Sequence, residues 1–78
     1  MGGFMIQLDR KHLQVIMEAG YVYMGMRRFK EARAVFEGLT ALVSGSEVPH
    51  VAIGNVDFCE NKLHQAIKRY QMALKIDP

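Results

Sequence analysis

Apolar residues recur with helical spacing along the chain, in four segments separated by short polar or glycine-bearing stretches. The first segment, which Asp9 can cap, has its apolar positions at a period of 3.6 residues: Leu13, Ile16, Met17, Gly20, Tyr23 and Met24. The stretch MGMRR ends this pattern, and we expect Gly25 to let the chain turn there. A second helix is predicted over 29–43, with an apolar face made of Phe29, Ala32, Phe36 and Leu39.

The second half of the chain shows the same arrangement. The loop SGSEVP offers Ser46 as an N-cap and places Pro49 in the first helical turn, where a missing N–H does little harm. The third helix is predicted over 47–60, ENK forms the next turn, and a fourth helix is predicted over 63–76. Its apolar stripe consists of Leu63, Ala66, Ile67, Tyr70, Ala73 and Leu74. No strand pattern competes, so the sequence predicts an all-α fold.

A shift of 34 residues superposes the two halves of the sequence. This repeat shift sets Gly20 on Gly54, and it also sets Ala32 on Ala66 and Phe36 on Tyr70. Glycine allows two helix backbones to approach, alanine leaves room opposite it, and the aromatic ring fills the space above. Each of the two units is therefore predicted to be an antiparallel helix pair.

These residues make the chain resemble the tetratricopeptide repeat. The matching positions are Gly20, Tyr23, Phe29, Ala32 and Phe36 in the first unit, and Gly54, Ala66, Tyr70, Ala73 and Pro78 in the second. The departures are Leu39, Ser44, His50 and Asp57. The resemblance implies two repeats in a short α-solenoid, as one domain over 1–78. An N-terminal segment over 1–12 would precede repeats over 13–46 and 47–78, the second without a capping helix.

Tetratricopeptide solenoids bind partners on a concave face, which the first helix of each pair lines. The resemblance places on this face Gln14, Met17, Tyr21, Met24, Gly25, Val48, Val51, Asn55, Phe58 and Cys59. Our candidate partner-binding residues are Met17, Tyr21, Met24, Val51, Asn55, Phe58 and Cys59. Such an apolar, methionine-bearing surface favours an amphipathic helix or an apolar extended segment as ligand. For Met24 and Phe58 the alternative is a role in the core.

The sequence argues against one role known among tetratricopeptide proteins and resembles proteins with another. Domains that hold the acidic C-termini of heat-shock chaperones carry a basic clamp, but Met17 and Val51 stand where Lys or Arg is required, and only Asn55 matches. The stretch EAGYVYMGMRRFKEARAVFEGLTAL instead resembles small cytoplasmic chaperones of type III secretion. That resemblance implies a chaperone that binds an amphipathic helix of a needle or translocator subunit, together with a small co-chaperone.

An alternative function follows from the fourth helix. Repeat arrays of this kind usually have about three units and a polar capping helix. We therefore expect Ile67, Leu74 and Ile76 to form an uncovered surface, for a co-chaperone or for a second copy of the chain. The second case describes a homo-oligomeric scaffold or adaptor unrelated to secretion.

Composition narrows the remaining classes. A chain of 78 residues forms one small domain of modest stability, and its net charge of +2 is spread over helix faces, which disfavours nucleic-acid binding. No apolar run is long enough for a membrane span, and the N-terminus has no signal-peptide pattern. The single cysteine, Cys59, excludes an internal disulfide and fits a reducing compartment. We therefore expect a cytoplasmic protein.

Catalytic chemistry has little support in the sequence. His12, His50 and His64 are too far apart for a local metal motif, and His50 is expected to pack between helices. Cys59 has only Lys62 as a nearby basic residue, so an apolar contact is expected rather than a nucleophile. We therefore predict no enzymatic activity, no metal and no cofactor.

Overall fold

A computed structural model of the protein describes residues 10–78, which form four α-helices and contain no strand. The helices are α1 (Arg10–Gly25), α2 (Phe29–Leu42), α3 (Val48–Cys59) and α4 (Leu63–Ile76). The predicted ranges for α2, α3 and α4 agree with these bounds to within one residue, while the predicted cap at Asp9 lies outside the described residues. Each helix packs on the next in chain order, so the predicted all-α fold of helix-turn-helix repeats is confirmed.

The core lies where the two repeats meet, between α2 and α3. Six side chains there have at most 1% of their surface exposed: Ala32, Phe36, Leu39, Ala52, Ile53 and Val56. The apolar row of α1 packs against this cluster and is only partly buried, as is Phe29 at the start of α2. Three of the four residues predicted for the apolar face of α2 are therefore fully buried, and the first repeat leans on the second for its core.

Two glycines allow an aromatic ring to lie directly on a helix backbone. A Cβ atom added to Gly20 would overlap the ring of Phe36, and one added to Gly54 would come within 2.5 Å of Cε1 of Tyr70. Both contacts join the two helices of one repeat, and the repeat shift relates one contact to the other. In both repeats, glycine thus provides the space that the aromatic ring of the neighbouring helix fills, as predicted.

The turns within the two repeats have the same geometry, but Gly25 is not the residue that makes the first one. Gly25 ends α1, and the left-handed residue is Arg27, with φ of 60°. Asn61, the equivalent of Arg27 in the second repeat, has φ of 64°. Our expectation for Gly25 was therefore wrong, because the chain reverses two residues further on.

The connection between the repeats runs from Val43 to Glu47. Gly45 takes a φ of 91°, which favours glycine, and the Ser46 hydroxyl accepts a 3.2 Å hydrogen bond from the Val48 N–H at the start of α3. Ser46 therefore accepts a hydrogen bond at the start of α3, but the N-cap residue is Glu47, one residue later than the sequence predicted. Pro49 lies in the first turn of α3 and is buried, as the sequence predicted for its position.

Candidate functional site

The candidate site is a surface shared by α1 and α3, which we call the α1/α3 face. On α1 it contains Met17, Tyr21 and Met24, and on α3 it contains Val51, Asn55, Phe58 and Cys59. Within each helix the residues follow one another at intervals of three or four, apart from the adjacent Phe58 and Cys59, so they lie along one side of that helix. A direct contact joins the two rows: the Asn55 amide Nδ2 donates to the Tyr21 hydroxyl over 3.3 Å.

Tyr21 and Asn55 are held in place from below. The Tyr21 ring lies 5.2 Å from the ring of buried Phe36, centroid to centroid, at an interplanar angle of 58°. The Asn55 side-chain oxygen accepts a 2.7 Å hydrogen bond from the Tyr70 hydroxyl of α4. Burial raises the pKa of Tyr70, so this hydroxyl stays protonated as a donor. The centre of the face is therefore fixed before any partner binds.

Exposure separates the seven candidate residues into two groups. Phe58 is 60% exposed, Tyr21 is 40% exposed and Val51 is 37% exposed, and Cys59 is exposed as well. Met17, Met24 and Asn55 are only partly exposed, and the two methionines pack against the core cluster. The core role considered for Met24 and Phe58 therefore describes Met24 and not Phe58. The available apolar contacts come from Tyr21, Val51 and Phe58.

An open apolar cleft of about 400 Å³ adjoins the face near the beginnings of α1 and α3. It is lined by Arg10, Leu13, Gln14, Met17, Leu39, Val43, Ser46, Val48 and Pro49. The sequence had placed Gln14, Met17 and Val48 on the concave face, but it had not predicted that Val43 and Pro49 would line a cleft beside them. Their contribution depends on the path of the loop between the repeats, which the helical period does not encode.

Asp57 is the main feature that sequence reasoning did not interpret. Its carboxylate is buried between the repeats, where Arg33 of α2 donates from one Nη2 to Asp57 Oδ1 and to Glu60 Oε1, each over 2.6 Å. Burial lowers the pKa of Arg33, but the hydrogen bonds to Glu60 and Asp57 outweigh it and raise the pKa overall. The same hydrogen bond lowers the pKa of Glu60. The available signal was an acidic residue where the tetratricopeptide pattern that the sequence resembles has an aromatic one.

This chain matches no family model, no curated protein and no solved structure. The repeat architecture and the α1/α3 face therefore stand on the sequence and the geometry alone. Within residues 10–78, no cluster of three or more His, Cys, Asp or Glu side chains could hold a metal ion. No helix in that range has the length and hydropathy to cross a bilayer.

The histidines and the cysteine do not converge on a reaction centre in the described part of the chain. His50 is half-buried between α3 and α4, with its Nδ1 3.2 Å from the Arg69 guanidinium that donates to it, which agrees with the expected packing role. His12 and His64 are exposed on other helices. Cys59 lies on the surface beside Phe58. No nucleophile and base pair is therefore formed by these side chains within residues 10–78.

The residues predicted for a second surface lie on α4 and are exposed. Ile67 is 52% exposed, Leu74 is 59% exposed and Ile76 is 38% exposed, while Ala66 and Ala73 of the same helix are buried. All charged residues of α4 are basic: Lys68, Arg69 and Lys75. Ile67 and Leu74 are two turns apart and lie on one side of α4, whereas Ile76 lies on the opposite side, so these apolar residues do not form a single row.

Proposed function

We propose that this protein is an interaction module that binds an amphipathic helix of a partner protein on the α1/α3 face. The observation that carries the proposal is the exposed pair Tyr21 and Phe58, with Val51 one turn before Asn55. Tyr21 is anchored by its ring contact with Phe36 and by the hydrogen bond that it accepts from Asn55, which in turn accepts a hydrogen bond from Tyr70. Preorganised aromatic residues are typical anchors of binding surfaces, because little side-chain freedom is lost on binding.

The adjoining cleft supports a helical ligand. An amphipathic helix places apolar side chains at i, i+3, i+4 and i+7, so it covers a distance of about 10 Å per seven residues. Such a helix can insert one large side chain into the 400 Å³ cleft and set its next apolar residues on Tyr21 and Phe58. The face has no Lys or Arg at Met17 and Val51, which disfavours a ligand recognised through paired carboxylates.

The finer form of the proposal is a cytoplasmic chaperone of type III secretion, in line with the resemblance of the stretch over residues 18–42. The ligand is then the amphipathic helix of a needle or translocator subunit, and a small co-chaperone covers α4. A subunit that self-assembles through such a helix stays monomeric when the helix is occupied, because binding shifts the equilibrium toward the covered form. No catalytic step is involved.

The test uses peptides from the C-terminal helices of needle and translocator subunits, titrated by calorimetry. The variant Val51→Glu/Phe58→Glu places two charges on exposed positions and leaves Met24, which packs on the core, unchanged. The control is Leu42→Glu, which changes an equally exposed apolar residue, 55% exposed, on α2. We expect the double variant to lose binding and the control to keep it. Equal binding by both variants would show that the partner does not use this face.

A second candidate function is a self-associating scaffold or adaptor, favoured by the exposed apolar residues Ile67, Leu74 and Ile76 on α4. It requires no ligand on the α1/α3 face. Light scattering of the purified chain distinguishes the two, since a monomer that binds a helical peptide fits the first candidate and an oligomer that captures none fits the second.

A further inference from the structure

Several contacts within the first repeat recur within the second, at positions related by the repeat shift. The turn after α1 is closed by a 2.8 Å hydrogen bond from the Arg28 N–H to the Tyr23 carbonyl, and the turn after α3 by the same bond from Lys62 to Asp57. The ring contact at Gly20 recurs at Gly54. A contact made in one repeat therefore identifies the corresponding contact in the other.

In two of the corresponding contacts, the chemistry differs on both sides together. Tyr21 meets Phe36 as two aromatic rings, and the equivalent pair, Asn55 and Tyr70, meets as an amide and a hydroxyl. His50 and Arg69 form a polar contact between α3 and α4, and their equivalents, Ile16 and Val35, both pack on the apolar core. Paired replacement of this kind indicates positions that touch each other.

The same shift relates the interface between the repeats to the two outer faces of the molecule. On the α3 side of that interface, Val56 is fully buried, and its equivalent on α1, Val22, is 60% exposed. Pro49 is buried, and its equivalent Val15 is 62% exposed. On the α2 side, Arg33 corresponds to Ile67 of α4, which is 52% exposed. The outer faces of α1 and α4 thus reproduce the two halves of the α2/α3 interface.

The buried ion pair allows a more specific comparison. Arg33 binds Asp57 and Glu60 across the α2/α3 interface, and the equivalents of those two residues are Tyr23 on α1 and Met26 in the turn directly after α1. Met26 is 57% exposed, and Ile67 stands in place of the arginine. Cation and anions have all been replaced by apolar residues, which is the paired replacement seen inside the molecule, here on two surfaces with no contact in a single copy.

We propose that a second copy of this chain docks its α1 on α4 of the first, head to tail, in the geometry with which α3 packs on α2. Ile67 then lies against Tyr23 and Met26 of the next copy, and Leu74 covers part of the same row. This inference deepens the scaffold candidate by naming the complementary surface, and it is independent of the α1/α3 face. Because the interface joins two different surfaces, it repeats from copy to copy and produces open stacks.

One residue of the α1 row opposes the contact. Glu18 corresponds to Ala52, which is completely buried in the α2/α3 interface. A carboxylate at that position must lose water when the copies meet, and this loss weakens the association. The stack is therefore expected to form reversibly and at high protein concentration. Replacing Glu18 by alanine restores the residue type found at the internal interface and is expected to strengthen the stack.

The experiment measures the mass of the full chain by sedimentation velocity over a wide range of concentration. Ile67→Arg and Met26→Glu each introduce a charge on one of the two surfaces, and each is expected to weaken association by roughly tenfold or more. Mixed together, the Met26→Glu variant supplies an unchanged α4 surface and the Ile67→Arg variant supplies an unchanged α1 surface, so the mixture associates through a wild-type interface where each variant alone is monomeric. Leu42→Glu, at an exposed position outside both surfaces, serves as the control and associates like the wild type.

The outcomes separate this inference from the two candidate functions. Recovery of association in the mixture supports head-to-tail stacking, and so does stronger, reversible association of the Glu18→Ala variant. A wild type that is monomeric at every concentration overturns it. An oligomer that is insensitive to Met26→Glu also overturns it, although the scaffold candidate then survives with α4 facing α4. Peptide binding on the α1/α3 face is unaffected by Met26→Glu in every case.

Discussion

The same substitution, glycine to alanine inside a helix, is expected to have opposite effects at two sites in this protein. Gly38 lies in α2 with nothing within 4 Å of an added Cβ atom, whereas a Cβ atom on Gly20 overlaps the Phe36 ring. Alanine favours a helix interior by about 1 kcal/mol over glycine. Gly38→Ala should therefore raise the free energy of unfolding by about that amount.

At Gly20 the steric cost exceeds this gain. The Phe36 ring is fully buried and cannot move away without disturbing the core, and overpacking of this kind costs about 1–3 kcal/mol. The net change for Gly20→Ala is then a loss of about 0–2 kcal/mol, which places it about 1–3 kcal/mol below Gly38→Ala. Gly54→Ala should cost less, because the Tyr70 ring is only half-buried and can shift toward solvent.

The assay is urea unfolding followed by far-ultraviolet circular dichroism, with each variant also made in the Gly38→Ala background so that the chain stays folded. For a domain of this size, a difference of 1 kcal/mol corresponds to about 4–8 °C in Tm. If Gly20→Ala stabilises the protein as much as Gly38→Ala, the ring does not lie on the helix backbone. The assignment of the glycine and aromatic pairs as the packing unit of each repeat would then fail.

Further predictions concern the ion pair between the repeats. Arg33→Met leaves the Asp57 carboxylate buried without a partner and should destabilise the fold by about 3 kcal/mol. Arg33→Met combined with Asp57→Leu should recover most of that loss in the same urea assay, and an unrecovered double variant would mean that the pair itself is strongly stabilising. Because Arg33 lowers the pKa of Glu60 below its usual 4.5, the stabilisation from Glu60 is complete above that pH and is lost as pH falls through the lowered value. Relative to wild type, Glu60→Gln should therefore lose about 1 kcal/mol or less near neutral pH, and the difference should vanish in acid; a difference that is independent of pH would argue against the contact.

The fold was largely predictable because its determinants are local. Helical periodicity identified the four helices, and the repeat shift identified the positions of Gly20, Gly54, Phe36 and Tyr70, since small residues and rings at fixed spacing have few other packing solutions. The left-handed turn residue was not predictable, because the left-handed conformation disfavours an arginine such as Arg27 and favours glycine, which lies two residues earlier at Gly25.

The candidate site was less accessible to sequence reasoning. The tetratricopeptide register that the sequence resembles placed Tyr21 and Asn55 on one surface, and their hydrogen bond shows that they meet. It did not separate Met24, which packs on the core, from Phe58, which is exposed, because that depends on how far each helix rotates toward its neighbour. The pairing of Arg33 with Asp57 joins residues 24 positions apart on different repeats, beyond the reach of helical spacing.

The Arg33 and Asp57 pair also means that the two repeats are not interchangeable parts. If the repeat over 47–78 were duplicated in tandem, Ile67 of the first copy would face Asp57 of the second, and the carboxylate would be buried against a side chain that cannot neutralise it. A duplication of the repeat over 13–46 would set Arg33 against Tyr23 and Met26, with a buried cation instead. Duplication of a single repeat is therefore penalised at the junction, so growth of the solenoid by one repeat at a time requires a compensating change on the facing helix. Sequence order in this protein is thus enforced by charge.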